Sequence, residues 1–278
     1  MLHRILVPLD GTDFAEAALP YAEALARRTG AKIHLVRASI VRHPPPDNTE
    51  ESRIVARERA YLVEQAQRLG AGQFAATVTL QQSDPPDAIV GQARQWGADL
   101  IVMATHERGP LGRAIFGSTT GKVLDDTPAP VLLVQPGDAA PFAGAQRVLL
   151  PLDGSPQAEE ALPIAQLLAQ AFEAPLTLVL ALDRGQSKSE HALRIYLREV
   201  AERLAAAGLT VQIEVRSGDA ARAIRDVAAA TGATVIAMAM REHNVLRRVV
   251  LGSTAEAVLR ATEIPLVMVR PKEEGREG

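Results

Sequence analysis

Short apolar runs alternate along the chain with stretches in which apolar residues recur every three or four positions. In the first half, the runs predict strands and the longer periodic stretches predict helices between them. The strands are expected at 4–10, 32–38, 74–81, 99–105 and 130–135. The helices are expected at about 13–29, 49–70, 85–97 and 117–126. Near-continuous apolar strands such as LIVMA indicate burial on both faces, as in a parallel sheet covered by helices on either side.

The second half of the chain repeats the first. Residues 7–26 match residues 150–169 at 12 of 20 positions, and residues 117–136 match residues 252–271 at 9 of 20. The offset is 143 residues for the first pair and 135 for the second, so the second copy is eight residues shorter in its middle. Its strands are expected at 147–153, 176–182, 210–216, 234–240 and 265–270. The chain is therefore expected to hold two tandem domains of one fold.

The domain boundaries follow from the repeat and from a stretch rich in Gly, Pro and Ala between the copies. We predict a first domain over 1–138, a linker over 139–145, a second domain over 146–272 and a flexible tail over 273–278. Right-handed crossovers would make each domain a doubly wound α/β unit, with a mostly parallel five-stranded sheet flanked by helices. Ligands are then expected at the carboxyl ends of the strands, where the strand order reverses.

Composition removes several classes of function. The formal net charge of −3 provides no overall basic field for nucleic acid or an anionic membrane. No run approaches the roughly 20 apolar residues of a membrane-spanning helix, and the N-terminus shows no export signal. There is no cysteine, and the six histidines show no metal-ligand spacing. We expect a cytoplasmic protein that binds neither nucleic acid nor membrane and holds no metal through its own side chains.

A carboxylate ends the first strand of each copy. Asp10 and Asp153 both lie in the tetrapeptide PLDG, directly before a helix. At the ligand edge of an α/β sheet, such a side chain accepts hydrogen bonds from a ligand, or it organises the turn and the helix start together with Thr12 or Ser155. The two roles are compatible.

A second feature follows the fourth strand of each copy. Gly117-Ser118 and Gly252-Ser253 open a helix after a basic loop. Unpaired N–H groups and the helix dipole favour an anion at such a position, whereas the alternative is an ordinary serine N-cap. Gly112 and Gly117 have the glycine spacing of a P-loop, but Ser118 stands where its lysine belongs, so that motif is rejected.

These residues resemble the universal stress protein family over nearly the whole of both copies. The resemblance is carried by VPLDG-T/S at the first strand, VMATH at the fourth, GST after the long loop, and the last strand PVLLV. In nucleotide-binding members the signature is Gly, two residues, Gly, nine residues, Gly-Ser/Thr. Its positions fall here at Ala104, Glu107 and Gly117-Ser118, and at Ala239, Glu242 and Gly252-Ser253.

The resemblance implies an adenine nucleotide alpha hydrolase-like fold with a site for ATP or AMP, with or without Mg²⁺, at the edge of each sheet. In the first copy, adenine and phosphates would lie against Pro8, Asp10, Ala38, Met103, Ala104, Gly117, Ser118 and Thr119. The second copy would use Pro151, Asp153, Ala181, Met238, Ala239, Gly252, Ser253 and Thr254.

Glutamate in place of the second motif glycine is the larger departure from the family pattern. A carboxylate about 5 Å from a phosphate charge would cost about 3 kcal/mol at an effective dielectric constant of 20. Nearby arginines would offset that charge or hold the glutamate aside, namely Arg108 and Arg113 in the first copy and Arg241, Arg247 and Arg248 in the second. The first copy is the better candidate site, because it keeps the Thr105-His106 pair that Met240-Arg241 replaces.

We therefore predict a nucleotide-binding regulatory or stress-response protein without catalytic residues and with at most slow, incidental ATP hydrolysis. The alternative is an interaction or dimerisation module that binds no nucleotide, because of Glu107 and Glu242. An enzyme of related fold ranks last, because no HIGH-type or KMSK-type element is present. The two domains are expected to pair as an intramolecular pseudo-dimer, last strand against last strand, and a homodimer of chains stays open.

Overall fold

A computed structural model describes most of the chain as two compact units, one ending at residue 137 and the other beginning at residue 142. The described residues are 1–41, 43–70, 76–105, 117–137, 142, 146–182, 187–243, 248–250 and 252–271. Apart from Phe142, the predicted linker at 139–145 lies outside them, and so does the predicted tail at 273–278. The two units are called domain one and domain two below.

Domain one is a five-stranded parallel sheet with the order β3-β2-β1-β4-β5. Its elements are β1 (Arg4–Pro8), α1 (Asp13–Glu16), α2 (Leu19–Thr29), β2 (Lys32–Ala38), α3 (Glu50–Gly70), β3 (Ala76–Gln81), α4 (Pro85–Trp96), β4 (Leu100–Ala104), α5 (Ser118–Asp126) and β5 (Val131–Val134). The order reverses between β1 and β4, as in a doubly wound sheet, and the predicted fold class is confirmed.

Domain two repeats this sheet with the order β12-β9-β6-β7-β8, again all parallel. Its elements are β6 (Val148–Leu152), α6 (Pro156–Glu159), α7 (Leu162–Ala171), β7 (Leu176–Leu182), α8 (Ser187–Ala206), β8 (Val211–Ser217), α9 (Ala220–Thr231), β9 (Val235–Ala239), β10 (Arg241–His243), β11 (Arg248–Val250), α10 (Ser253–Ala261) and β12 (Leu266–Val269). Pro8 pairs with Val36 in domain one and Pro151 with Val179 in domain two, so the repeat keeps its strand register.

The prediction of one continuous helix over 13–29 is wrong. The structure has the short helix α1, two non-helical residues, and then α2, which carries Pro20 in its first turn. Proline has no N–H to bond to the carbonyl four residues earlier, so it starts a helix more readily than it continues one. Pro163 separates α6 from α7 in domain two in the same way.

The basic loop predicted between β9 and α10 contains a two-stranded antiparallel hairpin in the structure. Arg241 pairs with Val250 and His243 with Arg248. Strands of three residues are too short to show an alternating hydrophobic pattern, so periodicity along the chain does not predict them. The first residue of the hairpin, Arg241, lies near Asp153, at the sheet edge where the sequence predicts a ligand.

The sheets carry the hydrophobic core. Ile5, Leu6 and Ile101 in domain one and Leu149 and Ile236 in domain two are fully buried. The helices bury one face each against these strands, as their mixed pattern of buried and exposed positions shows. Within the residues that the structure describes, no helix combines the length and the apolar character needed to cross a membrane.

Domain one also buries a histidine at a position where domain two has Thr177. The His34 ring lies 2.6 Å from the Thr77 hydroxyl through Nδ1 and 2.9 Å from the Thr79 hydroxyl through Nε2. Its ring centroid is 5.0 Å from that of Trp96. One ring nitrogen can donate and the other can accept, which suits a neutral imidazole. Burial lowers the pKa of His34 below its usual 6.5.

Domain one is therefore expected to lose stability as the pH falls below about 6.5. The unfolded chain takes up a proton on His34 there while the folded domain does not, so lower pH favours unfolding until the folded-state pKa is passed. Trp96 is the only tryptophan of the chain, and its fluorescence would give the urea midpoint of domain one between pH 7.5 and pH 5. In His34→Gln, which keeps one donor and one acceptor, the midpoint should depend less on pH. An equal pH dependence in both proteins would contradict the assignment to His34.

Candidate functional site

A cleft opens in domain one at the carboxyl ends of β1 and β4, where the strand order reverses. Its volume is about 250 Å³. All eight residues that the sequence predicts for this copy line it, namely Pro8, Asp10, Ala38, Met103, Ala104, Gly117, Ser118 and Thr119. The structure thus brings together residues from four separate segments, at the ends of β1, β2 and β4 and at the start of α5, while their role in binding stays a prediction.

Several cleft residues were not predicted, and most of them are apolar. They come from the turn after β1, from α1, β2 and α4, and from the first turn of α5, namely Leu9, Phe14, Ala15, Val36, Pro85, Ile89 and Thr120. The repeat contains a signal for some of them: Ile89 and Ile224 occupy equivalent places in the two copies, and both line a cleft. The walls suit a flat aromatic ligand, because apolar side chains face it from both the sheet and the helices.

Asp10 fixes the turn between β1 and α1. Its Oδ1 accepts hydrogen bonds from the Thr12 backbone N–H at 2.9 Å and from the Thr12 hydroxyl at 2.6 Å. Thr12 in turn is the N-cap of α1 and accepts from the Ala15 N–H. Within the described part of the chain, no donor reaches Asp10 Oδ2. The carboxylate therefore has a structural role, and it also lies on the cleft with one oxygen left for a ligand.

Gly11 makes this turn possible. Its φ of +89° is a conformation that residues other than glycine rarely adopt, and a Cβ there would clash with Nη1 of Arg37. Gly154 in domain two has a φ of +83° and meets Leu193 instead. The PLDG motif is thus partly a requirement of the turn, whatever binds beside it.

The start of α5 differs from an ordinary serine N-cap. Gly117 is the N-cap residue, no side chain caps the helix, and Ser118 is the first helical residue. The N–H groups of the first turn are therefore left without a side-chain acceptor at the cleft. Gly117 has a φ of −51°, which any residue can adopt, and no atom of the described residues lies within 4 Å of a Cβ built on it. Neither the backbone nor the packing of the described residues requires glycine here, which is consistent with close approach of a ligand.

The cleft of domain two is smaller, with a volume of about 100 Å³. Seven of the eight predicted residues line it: Pro151, Asp153, Ala181, Met238, Ala239, Gly252 and Thr254. Ser253 does not line the cleft, although it opens α10 as predicted. Asp153 Oδ1 accepts from the Ser155 N–H at 2.9 Å and from its hydroxyl at 2.5 Å, so the turn of domain one is repeated.

An arginine from the hairpin distinguishes domain two. Nη2 of Arg241 lies 3.4 Å from Oδ2 of Asp153, so both oxygens of that carboxylate have partners. The sequence suggested that Arg241 offsets the charge of Glu242 or holds that side chain aside, and this stays a prediction because the Glu242 side chain lies outside the described residues. The ion pair that the structure shows for Arg241 is with Asp153. No short-range pattern predicts this pair, because 88 residues separate its members.

Of the two departures from the family signature, the structure describes the alanine at the first motif position in both copies. Ala104 and Ala239 each end a strand and keep negative φ values, so alanine is accommodated at the first motif position. His106, Glu107, Arg108, Arg113 and Arg247 lie outside the described residues, as do the side chains of Glu242 and Arg248. Within the part of the chain that the structure describes, no group of three or more His, Asp or Glu side chains could hold a metal ion.

Comparison with known proteins identifies the family of the chain. The model of the universal stress protein family matches residues 1–135 and again residues 144–270. A universal stress protein from Thermus aquaticus is 36% identical over 141 residues, which cover all of that protein and 49% of this chain. One from Synechocystis is 23% identical over 294 residues, which cover all of it and 97% of this chain.

A solved structure shows the same fold. The crystal structure of a universal stress protein from Archaeoglobus fulgidus has a TM-score of 0.77 at 21% identity, and the match covers 96% of this chain and 98% of that one. The predicted resemblance is confirmed over both copies, and the chain belongs to the universal stress protein family as a tandem member.

Proposed function

We propose that the cleft of domain one binds an adenine nucleotide, ATP or AMP, and that its occupancy regulates the shape or the partners of the protein in a stress response. The observation that carries the proposal is the convergence of all eight predicted residues on one cleft. The cleft combines apolar walls, a carboxylate oxygen without a protein donor among the described residues, and an uncapped helix start.

Each part of the cleft suits one part of the ligand. Val36, Met103 and Ile89 provide apolar surface for adenine. Asp10 Oδ2 would accept a hydrogen bond from a ribose hydroxyl or the adenine amino group. The first-turn N–H groups of α5 and the hydroxyls of Ser118 and Thr119 would bind phosphate, with the helix dipole favouring its charge.

The proposal is for binding without a catalytic step. Asp10 is tied to the turn through Thr12, and none of the described residues lining the cleft is a histidine or a lysine that could act as a base. The cytoplasmic location, the pseudo-dimer, the homodimer and the role of Mg²⁺ stay predictions.

The first test is to denature freshly purified protein without added ligand and to measure released nucleotide per chain by mass spectrometry. Adenine nucleotide at one or more per chain would support the proposal. No released nucleotide, together with no binding of ATP or AMP at millimolar concentration, would overturn it and leave the alternative of an interaction module.

Asp10→Asn is expected to weaken ATP binding about tenfold or more. The variant keeps an acceptor for Thr12 at Oδ1 but replaces the charged Oδ2 with an amide donor, and a hydrogen bond to a charged group contributes about 1.5–3 kcal/mol. Calorimetric titration would measure the loss. Asp153→Asn makes the same change in the other PLDG turn and should leave the affinity of the domain-one cleft unchanged. An unchanged affinity in Asp10→Asn would show that Asp10 serves only the turn.

A further inference from the structure

The side chain of Arg241 crosses the ligand edge of domain two. Its Cγ and Cδ lie 3.6 Å from the position that a Cβ on Gly252 would occupy. Its guanidinium reaches Asp153 on the other side of the cleft, at 3.4 Å. Gly252 is the N-cap of α10, and among the side chains that the structure describes none caps that helix. One cationic side chain thus lies beside both an uncapped helix start and the carboxylate of the first strand.

The pair between Arg241 and Asp153 makes a ligand compete with the guanidinium for the carboxylate. Asp153 Oδ1 is taken by Ser155 and Oδ2 by Arg241. A ligand without an anionic group, such as a nucleoside, must share Oδ2 with the guanidinium or displace it. Such a ligand also gives the guanidinium no replacement for its anionic partner.

A ligand that carries phosphate can replace Asp153 as the anionic partner of Arg241. The side chains of Arg241 and Asp153 are 68% and 49% exposed, and exposed ion pairs contribute only about 0–1 kcal/mol. A phosphate at the start of α10 would accept two charge-assisted hydrogen bonds from the guanidinium. It would also accept hydrogen bonds from the backbone N–H groups of the first helical turn. Because the stem of Arg241 already lies against Gly252, the guanidinium needs only to turn from the carboxylate towards the helix start. That turn also frees Asp153 Oδ2 for the ligand.

We propose that Arg241 makes the cleft of domain two selective for phosphate-bearing adenine ligands over the nucleoside, by exchanging Asp153 for the phosphate. The inference rests on the proposed function, which assigns an adenine nucleotide to the equivalent cleft of domain one. It goes further in naming the residue that sets ligand preference in one domain. Both domains can then bind ATP, but domain two binds adenosine weakly.

The two clefts can be measured separately in the full chain. The chain has five methionines, of which Met103 lines the cleft of domain one and Met238 that of domain two. With ¹³C-methyl-labelled methionine, NMR titrations with adenosine, AMP and ATP would give an affinity for each cleft from these two signals. Met103→Leu and Met238→Leu would assign the signals. The variants are Arg241→Gln and Arg241→Lys. Arg260→Gln is the control, because it removes the same charge from the C-terminal turn of α10, where Arg260 pairs with Glu256.

In the wild-type chain, the Met238 signal should report ATP binding at least about tenfold tighter than adenosine binding. Arg241→Gln should weaken ATP at this cleft about tenfold and leave adenosine equal or tighter, so the preference collapses. Arg241→Lys should fall between, since lysine keeps the charge without the two-pronged geometry. The affinities reported by Met103 should be the same in the Arg241 variants as in the wild type. In Arg260→Gln, the affinities reported by both methionines should equal those of the wild type.

Three results would overturn the inference while leaving the proposed function in place, provided that the Met103 signal still responds. The Met238 signal could respond to adenosine as strongly as to ATP. Arg241→Gln could tighten ATP binding, which would show that Arg241 obstructs the cleft rather than binding phosphate. ATP could fail to move Met238 in any variant. If neither methionine signal responds to any of the ligands, the proposed function fails together with the inference.

Discussion

Gly117→Asp is expected to lower the affinity of domain one for ATP by on the order of 100-fold while making the domain slightly more stable. An aspartate at the N-cap can accept from the first-turn N–H groups and is favoured by the helix dipole, which together contribute up to about 1 kcal/mol. The φ of −51° and the open space around Gly117 allow the side chain without strain. The same carboxylate would compete for the phosphate position, at a cost of about 3 kcal/mol for each pair of charges about 5 Å apart.

In Gly117→Asp, the stability of domain one should therefore rise while its affinity for ATP falls. A substitution that damaged the fold would lower both. Titration with ATP and with adenosine would measure binding, and Trp96 fluorescence in urea would measure stability. Gly117→Asn is the matched control, because it has the same shape without the charge and should lose much less ATP affinity. If Gly117→Asp bound ATP as tightly as the wild type, phosphate would not lie at the start of α5.

Glu58→Leu is expected to destabilise domain one by about 3–5 kcal/mol, because it leaves the Arg37 guanidinium buried without its anion. Nη2 of Arg37 lies 3.5 Å from Oε1 of Glu58, and the two side chains are only 16% and 6% exposed. Glu58 also accepts from the Ser39 hydroxyl at 2.5 Å and from the Ile40 N–H at 3.3 Å. The urea midpoint followed by Trp96 fluorescence would measure the loss.

Domain two shows that the ion pair can be replaced. Leu180 stands in the strand register of Arg37, and Leu193 contacts Gly154 as Arg37 contacts Gly11. The double variant Arg37→Leu/Glu58→Leu should therefore recover most of the stability that Glu58→Leu loses, since an apolar pair of similar volume can replace a buried ion pair. Glu64→Gln, which breaks the exposed pair with Arg68 on the same helix, should change stability by less than about 1 kcal/mol. Additive losses in the double variant would contradict this view of the pair.

The predictions from sequence were most accurate where local chemistry decides the conformation. The predicted strand 32–38 is β2 in full, and the predicted strand 176–182 is β7 in full. The helix expected at 13–29 failed because a helical hydrophobic pattern continues through Pro20, whereas the backbone hydrogen bonds do not. The serine N-cap failed as an alternative because Gly117, one residue earlier, has the capping conformation.

Hydrophobic periodicity and the internal repeat were sufficient to predict two doubly wound domains, which the structure confirms, and they also predict the sheet edge at which each would bind a ligand. This is possible because strand burial and right-handed crossovers leave few arrangements of such elements. Contacts between distant segments were decided by the tertiary structure. Arg241 lies beside Asp153 only because β6 and β9 are neighbours in the sheet, and Arg37 reaches Glu58 only because α3 packs against β2. Sequence spacing carries no information about such pairs, since their energy depends on distance and burial in the folded chain.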